Sequence, residues 1–113
     1  MNNKPHRGDV YFARLDDTVG SEQAGIRPVV ILQNDKGNHY AVTTIAAVLT
    51  SQKKHPLPVH VMLRNPLLPK TSCVLTEQIK TISMGRLVRY ICTLTPSEMR
   101  KIDKALKISL ALQ

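Results

Sequence analysis

The sequence predicts a mainly β, α+β domain: a small, strongly bent barrel of five or six short strands, closed by a C-terminal helix. Three observations predict it. Short β-branched and aliphatic runs recur along most of the chain, broken by Gly, Pro, Asn and Asp, as strands and turns alternate. Only the last stretch carries an apolar stripe at helical spacing. With one Phe, three Tyr and no Trp, the core has to be aliphatic, built from Val, Ile and Leu. A chain of 113 residues suits one domain over 1–113, and a domain of that size buries roughly 65% of its unfolded surface.

Each element follows from its residues. Asp9 to Leu15 is a first strand. Asp16 to Ile26 is polar, carries Gly20 and Gly25, and reads as a long loop. Arg27 to Gln33 contains Val29, Val30, Ile31 and Leu32, an unbroken aliphatic run that describes a strand covered on both faces. Asn34 to Asn38 is a turn by composition. Ala41 to Thr50 returns as the partner of a hairpin. Val59, Val61 and Leu63 alternate with His60 and Met62, which gives a half-buried strand. Pro66 and Pro69 make a loop of Asn65 to Thr71. Ser72 to Ile82 and Arg89 to Leu94 are two more strands, separated by a short turn or helix around Met84 to Leu87. Thr95 and Glu98 then form a capping box with Pro96 at the first helical position. Met99, Ile102, Leu106 and Leu110 form the apolar stripe of the helix that follows.

Charge narrows the partners. Lys and Arg outnumber Asp and Glu by 16 to 8, leaving a net charge of +8. A small domain so charged attracts polyanions in a salt-dependent way. Nucleic acid is the usual one; an acidic protein or an anionic membrane would also be drawn. Met1 to Asp9 has no apolar run and so no signal peptide. The longest aliphatic stretches are about five residues, against the roughly 20 needed to span a bilayer. The expectation is a soluble, cytoplasmic protein without a membrane partner. Cys73 and Cys92 lie in apolar surroundings without CxxC pairing and read as small hydrophobes.

Few of the usual catalytic patterns are available. The spacing His55-x4-His60 is poor for a metal, and Asp16 and Asp17 are adjacent in a loop, so neither a metal site nor a carboxylate pair is expected. There is no P-loop, GxSxG or zinc-ribbon pattern. Aromatic scarcity rules out a stacking sheet of the RRM kind, so base selection would fall to hydrogen bonds from loops.

What remains is a set of motifs in order. Arg7-Gly8-Asp9-Val10-Tyr11-Phe12 precedes G-S-E-Q-A-G-I-R-P-V-V-I-L-Q-N-D (Gly20 to Asp35). A-A-V-L-T-S-Q (Ala46 to Gln52) follows, then L-T-E-Q-I-K-T-I (Leu75 to Ile82) and Arg86-Leu87. Together these closely resemble the MazF/PemK toxins, over about Arg7 to Leu112. The resemblance implies an SH3-like barrel of about five to seven strands with a C-terminal helix, shared with CcdB. It implies a homodimer restrained by an acidic, MazE-like antitoxin. The implied activity is sequence-specific cleavage of single-stranded RNA, messenger RNA above all, leaving a 2′,3′-cyclic phosphate and a 5′-hydroxyl without metal or other cofactor. Arg27 matches the family's catalytic Arg and Thr50 its catalytic Thr. Glu22, Gln23, Ser51, Gln52, Lys53 and Lys54 then become RNA contacts, with Glu22 able to assist proton transfer. Glu77 and Gln78 fit the pattern but read as support for the fold.

The chemistry is physically sound. RNA carries its own nucleophile, the 2′-hydroxyl, so the protein has only to orient it, move protons and stabilise a dianionic phosphorane. A guanidinium grips two phosphate oxygens at once. A hydroxyl at a neighbouring strand end can donate to the same phosphate. The rival expectations are a CcdB-like gyrase poison acting without cleavage and a basic nucleic-acid-binding regulator.

Overall fold

The computed structural model describes residues 4–15, 25–51 and 57–113. Its elements are β1 (Asp9–Leu15), β2 (Gly25–Ile31), α1 (Asp35–Tyr40), β3 (Thr43–Thr50), β4 (His60–Leu63), β5 (Ser72–Ser83), β6 (Leu87–Thr93) and α2 (Pro96–Ser109), with a 3-10 turn at Met84–Arg86. The strands form one six-stranded sheet in the order β4-β5-β3-β2-β1-β6, every neighbour antiparallel.

The sheet bends because its registers slip. Ala47 of β3 faces Ile79 of β5, but the next residue, Val48, faces Leu75. Thr76, Glu77 and Gln78 are therefore extra on β5, and a bulge of that kind bends and twists the strand. Thr76 fixes the bend by donating its N–H (3.2 Å) and its hydroxyl (2.6 Å) to the Val59 carbonyl. β1 slips twice against β6, after Val10 and after Phe12.

Each strand sends an apolar side chain to one core beneath α2. Val10, Val30, Leu49, Val61, Val74 and Cys92 all meet Ile102 and Ala105 there. The opposite faces of the central strands fill a second cluster of Ala13, Val29, Ile31, Ala46, Val48 and Ile82. β2 and β3 are thus buried on both faces, as the aliphatic run from Val29 predicts. The capping box of α2 forms as expected, with Glu98 N–H donating to Thr95 Oγ1 at 3.1 Å and Thr95 N–H to Glu98 Oε1 at 2.9 Å.

Four expectations are corrected. Asn34 to Asn38 is not a plain turn. Asn34 caps α1 by accepting from Gly37 N at 2.7 Å, and Asn38 is fully buried. Asn38 donates to the Gln33 carbonyl and accepts from Gln33 Nε2 and Thr44 Oγ1, a tertiary role that composition does not reveal. Gly25 and Ile26 belong to β2, paired with Leu15 and Arg14, because the long first strand extends the ladder beyond the aliphatic run. β2 also ends at Ile31, before Leu32 and Gln33. Leu110 lies beyond the last residue of α2 and is 53% exposed, while Ala105 joins the buried stripe.

The Arg7-Gly8-Asp9 motif is structural. Arg7 donates through Nε to the Leu32 carbonyl and ion-pairs with Asp103 of α2. Gly8 sits at φ +96°, where an L side chain would be strained. Its N–H and C=O bridge Ile31 and Leu94. Asp9 accepts from His6 N and from Thr93 Oγ1, both at 2.8 Å, locking the start of β1 to the end of β6.

Candidate active site

β3 lies between β2 and β5, so whatever ends β3 stands between residues of those two neighbours. The β2–β3 ladder pairs Ile31 with Ala46, Val30 with Ala47 and Val29 with Val48, and stops there. The next residue of β2 is Pro28, which has no N–H to offer a ladder. Carried two residues further, the same register sets Arg27 opposite Thr50. Alternation puts both on one face: Arg27 follows Val29 and Ile31, and Thr50 follows Val48 and Ala46. On its other side Thr50 pairs with Cys73 of β5.

Where the ladder stops, a cleft of about 270 Å³ opens, lined by Arg27, Thr50, Ser51, Phe12, Leu68 and Lys70 among others. That is just below the roughly 300–1,000 Å³ of pockets that enclose whole small molecules. It suits one segment of a longer chain. Arg27 is exposed and Thr50 is 8% exposed, so a solvent-facing cation stands beside a hydroxyl set in the sheet. The apolar floor comes from Phe12, Pro28, Leu49 and Leu68, and no carboxylate is found among the described residues lining the cleft. The charged residues among the described lining are Arg27 and Lys70, a pairing suited to a phosphate.

Lys70 enters from the loop that feeds β5, so Arg27 and Lys70 come to Thr50 from opposite sides. The loop is fastened at both ends. Leu68 is buried in the core, Asn65 Nδ2 donates to Glu98 of α2 at 3.1 Å, and Ser72 Oγ donates to the Lys70 carbonyl at 3.0 Å.

Of the residues singled out from sequence, Arg27, Thr50 and Ser51 come together in the cleft. Glu22, Gln23, Gln52, Lys53 and Lys54 lie outside the described residues. Sequence reasoning missed Phe12, Leu68 and Lys70. Phe12 sits inside a quoted motif, and the hydrophobic parity of β1 could have set it beside Pro28; nothing local marks Lys70. Glu77 lies on the β5 bulge, with Oε2 2.9 Å from Nε2 of His60, whose side chain is 7% exposed. This contact holds β4 to β5, in keeping with a role in the fold.

Among the described residues, no three His, Cys, Asp or Glu side chains gather as a metal site would require. Burial, with Glu98 and Asp9 adding to it, pushes the Cys92 thiol up, so it stays protonated and unreactive. Tyr11 is likewise raised by burial and then by Asp9 and Tyr90, which keeps its phenol a neutral donor. Neither group lines the cleft.

A family model described as PemK-like, MazF-like toxin of type II toxin–antitoxin system matches residues 6–110. Endoribonuclease EndoA of Bacillus subtilis (strain 168) is 49% identical over 109 residues, which cover 94% of this chain and 94% of that protein. An endoribonuclease solved from mycobacterial species is similar at a TM-score of 0.81 and 30% identity, covering 97% of this chain and 94% of its own. An endoribonuclease in complex with its cognate antitoxin, also from mycobacterial species, gives a TM-score of 0.80 at 30% identity over 96% of this chain and 97% of that one. MazF (Form-I) from Deinococcus radiodurans shares the fold at a TM-score of 0.85 and 21% identity, covering 97% and 99% of the two chains.

Proposed function

Since the chain belongs to the PemK-like, MazF-like toxins of type II toxin–antitoxin systems and is an endoribonuclease toxin of that kind, we propose that it cuts single-stranded RNA with Arg27 and Thr50. The observation that carries this reading is the register that sets Arg27 against Thr50 in one cleft, with no carboxylate among the described residues lining it.

In the proposed reaction the 2′-oxygen attacks phosphorus as its proton leaves, and the P–O5′ bond breaks as O5′ gains a proton. The products are a 2′,3′-cyclic phosphate and a free 5′-hydroxyl. The protein's largest contribution is to the dianionic phosphorane between them. Arg27 spans two equatorial oxygens with its guanidinium, and the Thr50 hydroxyl donates to the same phosphate. Lys70 adds a charge from the other side of Thr50. Glu22 and Gln23 precede β2, while Ser51, Gln52, Lys53 and Lys54 follow β3; we assign them to RNA contact, with Glu22 suited to carry a proton. Every step uses side chains and the RNA's own hydroxyl.

Cleavage of a long RNA should therefore persist in EDTA and fall steeply as salt is added. A plot of log binding constant against log salt should flatten by about one unit in Lys70→Ala, the share of one phosphate contact. An absolute need for Mg²⁺ would defeat the chemistry, and an unchanged slope would remove Lys70 from the phosphates.

The chain as a single domain over 1–113, a cytoplasmic setting, a homodimer and messenger RNA as target complete the proposal. Among the described residues no helix is long and apolar enough to cross a membrane. The proposed inhibitor is an acidic, MazE-like antitoxin, complementary to a chain of net charge +8. Light scattering at tens of micromolar should give twice the 12.6 kDa chain mass. Adding the antitoxin should abolish cleavage. A strict monomer, or cleavage undisturbed in the complex, would contradict the respective assignment.

A further inference from the structure

We infer that Phe12, braced by Arg89, is the stacking platform for the nucleobase beside the scissile phosphate. The inference rests on the reading of the β2–β3 cleft as the RNA site. Phe12 is the one aromatic among the described residues lining that cleft. Tyr11, its neighbour, points to the other side of β1 and packs edge-on against Tyr90, ring centroids 5.7 Å apart. Tyr40 is engaged with His39 at the end of α1.

Register explains the placement. Phe12 pairs with Pro28 of β2 on one side and with Arg89 of β6 on the other. Directly opposed residues of antiparallel strands hold their Cβ atoms about 4.5–5.5 Å apart, so the three side chains form a row across the sheet. Pro28 is the residue next to Arg27. Alternation sends Phe12 and Pro28 to the side of the sheet opposite Arg27 and Thr50, and the two rows meet in the cleft, where the β2–β3 ladder has stopped. A nucleotide that threads this cleft can set its phosphate on Arg27 and its base against Phe12.

The guanidinium of Arg89 stands 5.3 Å from the Phe12 ring centroid. It covers one part of the ring, and the ring also lines the cleft. A cation held there fixes the ring in one orientation and favours it by cation–π attraction. A ring already immobilised loses little entropy when a base stacks on it. Stacking accepts any base, because every base has a π-face. Phe12 would thus supply affinity and hold the adjoining sugar in line for attack, leaving loop hydrogen bonds to choose the sequence.

The test uses wild type, Phe12→Leu and Phe12→Trp with a short RNA that wild type cleaves, made resistant by a 2′-deoxy sugar at the cut. Each base flanking the cut is removed in turn as an abasic site. For wild type, losing one of the two bases should weaken binding roughly 5- to 150-fold, the usual worth of one base–aromatic stack. Phe12→Leu should weaken binding to the intact RNA by a similar factor and be nearly indifferent to the abasic change. Phe12→Trp should keep the wild-type pattern. Equal abasic penalties in wild type and Phe12→Leu would overturn the inference. Should Phe12→Leu melt early, 2-aminopurine at the same position answers for wild type, where bound RNA should show stacking quench and an unquenched signal would count against Phe12. Parallel cleavage of the unmodified RNA by wild type and Arg27→Ala reports on the cleft itself. If Arg27→Ala alone fails to cut while the abasic series shows no coupling, the stacking role falls and the active-site reading stands.

Discussion

Arg27→Ala should lower single-turnover RNA cleavage by about 10² to 10³-fold, the usual loss when one donor to a developing oxyanion is removed. The size follows from the chemistry. The phosphorane gains a negative charge that the substrate does not carry to the same degree, so a cation aimed at it acts on the transition state more than on binding. Arg27→Lys should recover little, since an ammonium cannot span two oxygens in the plane of a guanidinium. Thr50→Ala should cost less than Arg27→Ala, because a neutral donor contributes less than a charged one. Thr50→Ser keeps the hydroxyl and should be the mildest of the four. Arg27 is exposed, so its truncation empties no core position and the melting temperature should hold. A folded Arg27→Ala protein that cuts at the wild-type rate would remove Arg27 from the site and the mechanism with it.

Most of the strands and the C-terminal helix are legible because their signals are local. The capping box at Thr95 and the aliphatic run from Val29 each report an element directly. The errors arise where a residue's partner is distant in sequence. Asn38 looks like a turn former until Gln33 and Thr44 take up its hydrogen bonds in the core. Gly25 looks like loop until Leu15 pairs with it.

The site shows the same division. Arg27 and Thr50 are marked by motifs that resemble a known family; Thr50 ends β3, whereas Arg27 lies inside β2, just past the end of the β2–β3 ladder. Phe12 and Lys70 become site residues only through the order β5-β3-β2-β1, which no local pattern states. A chain with few aromatics gives no reason to expect a stacking ring beside the phosphate. A slip of one residue in the β1–β2 register would turn Phe12 to the opposite face.

Leu68→Ala should destabilise the protein by about 2–4 kcal/mol and reduce cleavage at the same time. Leu68 is 7% exposed and packs in the core beneath α2, yet it also lines the cleft. It anchors the loop that carries Lys70, with its own N–H bound to the Asn65 carbonyl at 3.0 Å. Removing the isobutyl group leaves a cavity on the core side and loosens a wall on the cleft side. For a domain near 100 residues each kcal/mol shifts the melting temperature by roughly 4–8 °C, so a drop of about 10 °C or more is expected. Assayed well below that transition, cleavage should still fall by tens of fold, because small displacements of positioning groups are costly. Leu68→Met nearly conserves volume and should cost less than about 1.5 kcal/mol while keeping most of the activity. Lys70→Ala supplies the contrast, with melting unchanged and salt dependence altered. If Leu68→Ala lost stability as expected but cleaved at the wild-type rate, the loop would be a structural strap alone, and the wall of the cleft facing Arg27 would have to be set by β5.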